Sequence, residues 1–155
     1  MFFSLVFALA SAAIAQHSSK NDSQQPPPAP RIVDLKAPHG IVLKGTYFAA
    51  GKPGPGVILY HQSNRTRTSW DDLARQLAAA GINTLAVDDR AYGESGGTHE
   101  ESWQKKPADL ETTFQFLISE PGVQRDVIGV AGAGSHGVIF LALFRSSKRA
   151  TPISS

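Results

Sequence analysis

Three short polar segments carry most of the side chains in this chain that could do chemistry: His61-Gln62-Ser63-Asn64-Arg65, Asp88-Asp89-Arg90 and Ala133-Gly134-Ser135-His136-Gly137. Each follows an apolar run. The third sets small residues two before and two after a serine, a form of G-x-S-x-G with Ala133 in the first place. In a tight turn from strand to helix, that spacing exposes the hydroxyl and puts a helix N-terminus beneath it. Ser135 is then the candidate nucleophile for attack on a carbonyl; an ordinary helix cap fits the same residues. A hydroxyl is a weak nucleophile unless a base takes its proton. His61 reads as an ordering residue or, alternatively, as a general base, and His99, in polar sequence beside Glu100 and Glu101, reads as solvated. Asp88, Asp89, His61 and His136 do not have the compact spacing of a metal site. The chain has no Cys, which excludes disulfides, thiolate metal sites and a Cys nucleophile. No cofactor and no metal are expected.

The elements that must hold these segments are legible in the apolar pattern. Ile32–Lys36 and Ile41–Phe48 are β-prone runs separated by Pro38-His39-Gly40, which predicts an antiparallel hairpin. Val57–Tyr60, Asn83–Val87 and Val127–Ala131 are short apolar runs of the kind found in strands buried on both faces. Between them, Trp70, Leu73, Ala74, Leu77 and Ala78 recur at helical spacing, with Thr68 or Ser69 as the cap, Asp71 and Asp72 in the first turn and Gly81 as the stop. A polar loop is expected from Tyr92 to about Lys106, then a helix opened by Pro107 with Leu110, Phe114, Leu117 and Ile118 on one face, and a last helix over Val138–Phe144. Strand, helix, strand, helix, strand, helix implies an α/β fold with a mainly parallel sheet covered on both faces. Ligands on such a sheet gather beyond the carboxyl ends of the strands, where the three polar segments fall.

Taken in order, several stretches resemble the N-terminal half of an α/β-hydrolase, in particular secreted bacterial esterases of the dienelactone-hydrolase-like or prolyl-oligopeptidase-like groups. They are Gly56–Gln62, Ser69–Ala74, Leu77–Ile82, Val87–Gly97 and Ile128–Gly132, together covering roughly residues 38 to 145. The resemblance implies a partial α/β-hydrolase fold with an N-terminal antiparallel hairpin, flanking helices and missing C-terminal strands. It implies that backbone N–H groups at Gln62 and His136 form the oxyanion hole, where donors meet charge that the ground-state carbonyl lacks. Asp88, Arg90, Gly93, Ser95 and Gly97 match the family's D-x-R-G-x-G-x-S-x-G stretch and imply a structural rim, with Gly134 and Gly137 shaping the turn around the serine.

The chain also departs from that pattern. Ala91 replaces the glycine of the R-G pair, a mild change if its φ stays negative. Counting forward from Ile128 puts the family's serine at Gly134, whereas counting back from Gly137 puts it at Ser135. The triad acid and histidine follow the nucleophile in the family, but the tail Arg145–Ser155 contains neither Asp nor His. The expectation is a homologue of a serine acyl hydrolase, acting on an ester or related carbonyl substrate, that is truncated and inactive; a noncatalytic interaction fragment completed by another chain is the alternative. A small acyl substrate would be a partner only if the site is completed. Without covering strands, Val127–Ala131 would present an apolar edge open to self-association.

The ends of the chain set its compartment. The apolar run Phe2–Ile14 and the small residues of Ala13-Ile14-Ala15 predict a signal peptide over residues 1–15 and export to a periplasmic or extracellular location, although the usual N-terminal Lys or Arg is missing. Residues 16–30 are polar and Pro-rich and read as a disordered linker. The domain is expected over 31–145 and a polar tail over 146–155. With 15 basic and 13 acidic residues spread along the chain and a net charge of +2, no basic face is formed and a nucleic-acid partner is not expected.

Overall fold

Apolar runs too short for helices, flanked by glycine and proline, pair into one five-stranded sheet in a computed structural model that describes residues 26–134. The strands are β1 (Arg31–Lys36), β2 (Val42–Phe48), β3 (Gly54–Tyr60), β4 (Asn83–Val87) and β5 (Val123–Gly132), in the order β1-β2-β4-β3-β5. β1 and β2 form the expected antiparallel hairpin, joined through a single 3-10 turn at Pro38–Gly40. β2 is also antiparallel to β4, while β4, β3 and β5 run parallel. The expected α/β architecture with a mainly parallel centre and an antiparallel N-terminal hairpin is therefore the one observed.

Alternation along the strands sorts the core into two layers. Val33, Leu35, Leu43, Tyr47, Ile58, Tyr60, Leu85 and Val87 face helix α2 (His99–Ser119), which contributes Leu117 with Leu110, Phe114 and Phe116 beside it. Phe48, Leu59 and Ala86 face the other way, onto Ala74 and Ala78 of α1 (Asp71–Ala79). β4 is buried at all five positions, as a strand covered on both faces must be. Gly81, at φ +93, ends α1 in the left-handed conformation that suits glycine.

Four local expectations are corrected. The approach to α1 is a 3-10 turn, Arg67–Trp70, and neither Thr68 nor Ser69 caps the helix: Thr68 Oγ1 pairs with Thr66 Oγ1, and Ser69 Oγ donates to the Thr66 carbonyl. The loop after β4 is shorter than expected because α2 starts at His99; Pro107 lies inside this 21-residue helix. Proline removes one helical hydrogen bond, and Trp103, whose carbonyl loses it, is 62% exposed. Glu100 and Glu101 favour the earlier start by lying in the first turn. The third correction concerns β5, which is longer than expected and exposed rather than buried on both faces: Val127 is 49% exposed, beside a register irregularity against β3. Finally, Ala91 adopts φ +65. The expected signal peptide and the helix over Val138–Phe144 lie outside the described residues.

Candidate functional site

Val87, Tyr60 and Gly132 lie opposite one another on adjacent strands, so β4, β3 and β5 leave the sheet at one level. The segments that follow meet there. Asp88 continues the face toward α1 and Asp89 the face toward α2, and each carboxylate finds a buried cation on its own side.

On the α1 side, Asp88 is fully buried. Its Oδ1 accepts from the Arg67 N–H at 2.7 Å, and its Oδ2 accepts from Arg67 Nη1 and from the Glu94 N–H at 3.1 Å. Arg67 also donates to Thr46 Oγ1 at 3.1 Å and to Glu94 Oε2. The Ser95 hydroxyl donates to the Asp88 carbonyl at 2.7 Å and accepts from the Lys44 N–H at 2.9 Å, tying the rim to β2. Gly93, at φ +54, passes so close to the Asp88 carboxylate that a Cβ there would collide with it.

On the α2 side, Arg90 forms a bidentate pair with Asp109, Nε to Oδ2 at 2.9 Å and Nη2 to Oδ1 at 2.6 Å. Gly97, at φ +94, leaves room for the Arg90 stem, which a Cβ would approach to 2.6 Å. Lys106 Nζ donates to Asp89 Oδ1 and sits 4.6 Å from the centre of the Tyr60 ring. Burial holds the Lys106 pKa below the ordinary lysine value, with Asp89 and Asp109 opposing the shift. Because the Thr113 hydroxyl donates to the Leu110 carbonyl, the Tyr60 hydroxyl is the donor in their 2.6 Å contact. Burial, reinforced by Asp89 and Asp109, pushes the Tyr60 pKa up, with the Thr113 contact opposing it.

His61 bridges two of the strand ends. Its Nε2 lies 3.1 Å from the Asp89 N–H, which can only donate, so Nε2 is the acceptor. Nδ1 then carries the proton and donates to the Gln62 carbonyl at 2.8 Å. Both ring nitrogens are committed to backbone groups, one in its own loop and one in the loop after β4, an arrangement suited to ordering and not to taking a proton from substrate. The Tyr92 ring meets His61 edge-on at 5.3 Å and His99 at 4.9 Å. The Gln62 carbonyl accepts a second bond from the Arg65 N–H at 2.8 Å, closing the turn.

These contacts place His61, Gln62, Asp88, Arg90, Gly93, Ser95 and Gly97 on one rim, and Gly134 lies beside Gln62. Ser135, His136 and Gly137 lie outside the described residues. Arg67, Lys106, Asp109 and Thr113 were not legible as rim residues from the sequence. Three of them, Lys106, Asp109 and Thr113, share a buried helical stripe with Leu117, and polar residues at core spacing were the available signal. Thr98-x-x-Glu101 is likewise the spacing of a helix start.

Ala91 gives a direct test of the rim backbone. Its N–H donates to the Gly96 carbonyl at 3.0 Å, which holds the residue at φ +65. A non-glycine residue there is strained by about 1–2 kcal/mol. Ala91→Gly is expected to raise stability by up to about 1 kcal/mol after glycine's extra unfolded-state entropy is counted. Urea unfolding would read this, and a loss of stability would contradict it.

No family model matches the chain. It is 27% identical over 128 residues to the thiohydrolase aneE of Aspergillus aculeatus, covering 79% of this chain and 40% of that protein. It is 28% identical over 103 residues to the thiohydrolase apmlB of Arthrinium phaeospermum, covering 64% and 34%. The chain thus spans well under half the length of these curated relatives. Among solved structures, the Pyrococcus furiosus esterase Pf2001 matches with a TM-score of 0.58 and 27% identity, covering 67% of this chain and 40% of that one. The carboxylesterase EstE1, from a metagenomic library, matches with a TM-score of 0.62 at 21% identity, a likeness of fold alone. The fold is a partial α/β-hydrolase fold, and the chain's relatives are hydrolases.

Proposed function

We propose that this chain is a homologue of a serine acyl hydrolase, built to receive the carbonyl of an ester or thioester at the rim formed by β3, β4 and β5. The observation that carries the reading is the His61 bridge. One neutral imidazole fixes the Gln62 carbonyl and the Asp89 N–H at once, which orders the loop that an oxyanion site requires before substrate arrives. The hydrolase relatives support the reaction class, and thiohydrolases beside esterases among them support including thioesters. The apolar N-terminal run supports a place outside the cytoplasm. Dienelactone-hydrolase-like or prolyl-oligopeptidase-like ancestry remains part of the proposal.

A second reading is favoured by one observation. The outer edge of β5 has no strand partner among the described residues, and Val127 is 49% exposed. A noncatalytic module that pairs this edge with another chain would use it.

The two readings separate in one titration. Isotope-labelled protein is titrated with ethyl butyrate and with S-ethyl thiobutyrate while amide shifts are followed. The acyl reading expects changes at Gln62, Asp89 and Gly134. A silent rim would sink it and leave the edge-pairing module.

A further inference from the structure

We infer that Gly134, and not Ser135, stands at the nucleophile position of this rim, so that the natural chain holds an acyl carbonyl there without forming an acyl-enzyme; the inference rests on the acyl-hydrolase reading above. Position comes first. Tyr60 and Gly132 are cross-strand partners, and the Ala133 N–H still donates to the Tyr60 carbonyl at 3.2 Å. The ladder then ends. The next residue, Gly134, has φ +68, a left-handed residue two positions past the end of β5, where the chain turns out of the strand as it does at a nucleophile turn.

Direction comes second. A Cβ built on Gly134 would lie 3.4 Å from Gln62 Cγ, in ordinary contact with the loop that the acyl reading assigns to the oxyanion. Gly134 is exposed, so an atom placed there is reachable from solvent. The site therefore has room for a side chain at residue 134, beside Gln62, and a glycine that supplies none. Adjacent Cα atoms are about 3.8 Å apart, and a nucleophile misplaced by even 1 Å can lose about 100-fold in rate.

The absence of cysteine makes the test clean. A thiol needs no assigned base, being a few per cent thiolate at neutral pH. Single variants Gly134→Cys, Ser135→Cys and Gln124→Cys are prepared, the last an exposed control at the start of β5, remote from the rim. Each is treated with p-nitrophenyl acetate. The thiolate sulfur attacks the carbonyl carbon, the bond to p-nitrophenolate breaks with its electron pair leaving on the phenolate oxygen, and a thioester forms; the thiol proton has gone to solvent. Intact mass counts the acetyl group and absorbance gives the rate, corrected for each thiol's own ionisation.

Gly134→Cys is expected to acetylate about 100-fold faster than either other variant, the lower end of what one oxyanion donor contributes. The inference is overturned if Ser135→Cys matches or exceeds it, or if Gly134→Cys is no faster than Gln124→Cys. Should Gly134→Cys not fold, as circular dichroism would reveal, Ser135→Cys decides. Faster acetylation than at Gln124→Cys overturns the placement, and an equal rate supports it. A rim silent in the butyrate titration sinks the acyl reading itself, whereas a rim that binds butyrate beside a fast Ser135→Cys sinks only the placement of Gly134.

Discussion

Asp88→Ala is expected to destabilise the fold by about 3–5 kcal/mol, the cost of breaking a buried ion pair by removing one partner. The magnitude follows from what is left behind. The Arg67 and Asp88 side chains are 5% and 0% exposed. Removing the carboxylate strands the guanidinium, whose other carboxylate partner, Glu94, is 62% exposed and well solvated. It also removes acceptors from the N–H groups of Arg67 and Glu94, each worth roughly 1–3 kcal/mol when a buried donor is left unsatisfied. These terms overlap, so the pair estimate bounds the effect better than their sum. Asp88→Asn keeps the shape and one acceptor and is expected to cost less. Urea unfolding with a fixed m-value checks both, and a loss below about 1 kcal/mol for Asp88→Ala would show that water replaces the carboxylate, as it does for surface pairs.

This cluster also shows where reading from sequence alone stops. Strands β3 and β4 were legible because burial on both faces writes an unbroken apolar run, and α1 because Ala74 and Ala78 recur at one helical spacing before Gly81. Arg67 was not legible as a buried group. A lone arginine in polar sequence is most often solvated, and its partners stand 21 and 27 residues away, brought to it only when β4 pairs beside β3. Lys106 was hidden in the same way, as its partner Asp89 lies on another element, 17 residues distant.

The N-terminal half of α2 escapes the sequence pattern for a further physical reason. Apart from Trp103, residues 99–106 are polar, so their pattern lacks the apolar stripe that marks a helix, and Pro107 looks like a first-turn proline. The buried stripe of Lys106, Asp109 and Thr113 packs onto charges and a tyrosine hydroxyl, not onto aliphatic groups. Helical spacing was present, but in residues whose burial depends on partners that no local window contains.

At the rim, Asp88, Arg90, Gly93, Ser95 and Gly97 were expected only through the family resemblance; in the structure Gly93 turns against the Asp88 carboxylate and Gly97 against the Arg90 stem. The left-handed Ala91 was not expected, since its identity argues for negative φ while the Gly96 carbonyl enforces the opposite. The elbow sits between these cases. Two counts along the sequence disagreed by one residue. A one-residue choice turns on the register of β5 against β3, which no local window of sequence contains.

The pair that should matter most to the rim's shape is Arg90–Asp109. Both side chains are 3% exposed and their contact is bidentate, so a double-mutant cycle of Arg90→Ala and Asp109→Ala is expected to give single losses of about 3–5 kcal/mol. The double variant is expected to lose less than the sum, because removing both charges leaves neither stranded. Arg90→Lys restores charge but not the planar fork and should recover only part of the stability. Lys44–Asp34 supplies the contrast: with the two side chains 30% and 56% exposed, the same cycle there should return about 0–1 kcal/mol. Arg90 reaches α2 from the loop that also carries Asp89, whose N–H holds the His61 ring. Losing the pair should therefore speed amide exchange from Asp89 to Gly97 and at Gln62, well away from the mutated carboxylate. Exchange confined to α2 would mean that helix and rim are held by separate interactions. Exchange that spreads to Gln62 would tie the order of the loop after β3 to an ion pair between the loop after β4 and α2, through one imidazole.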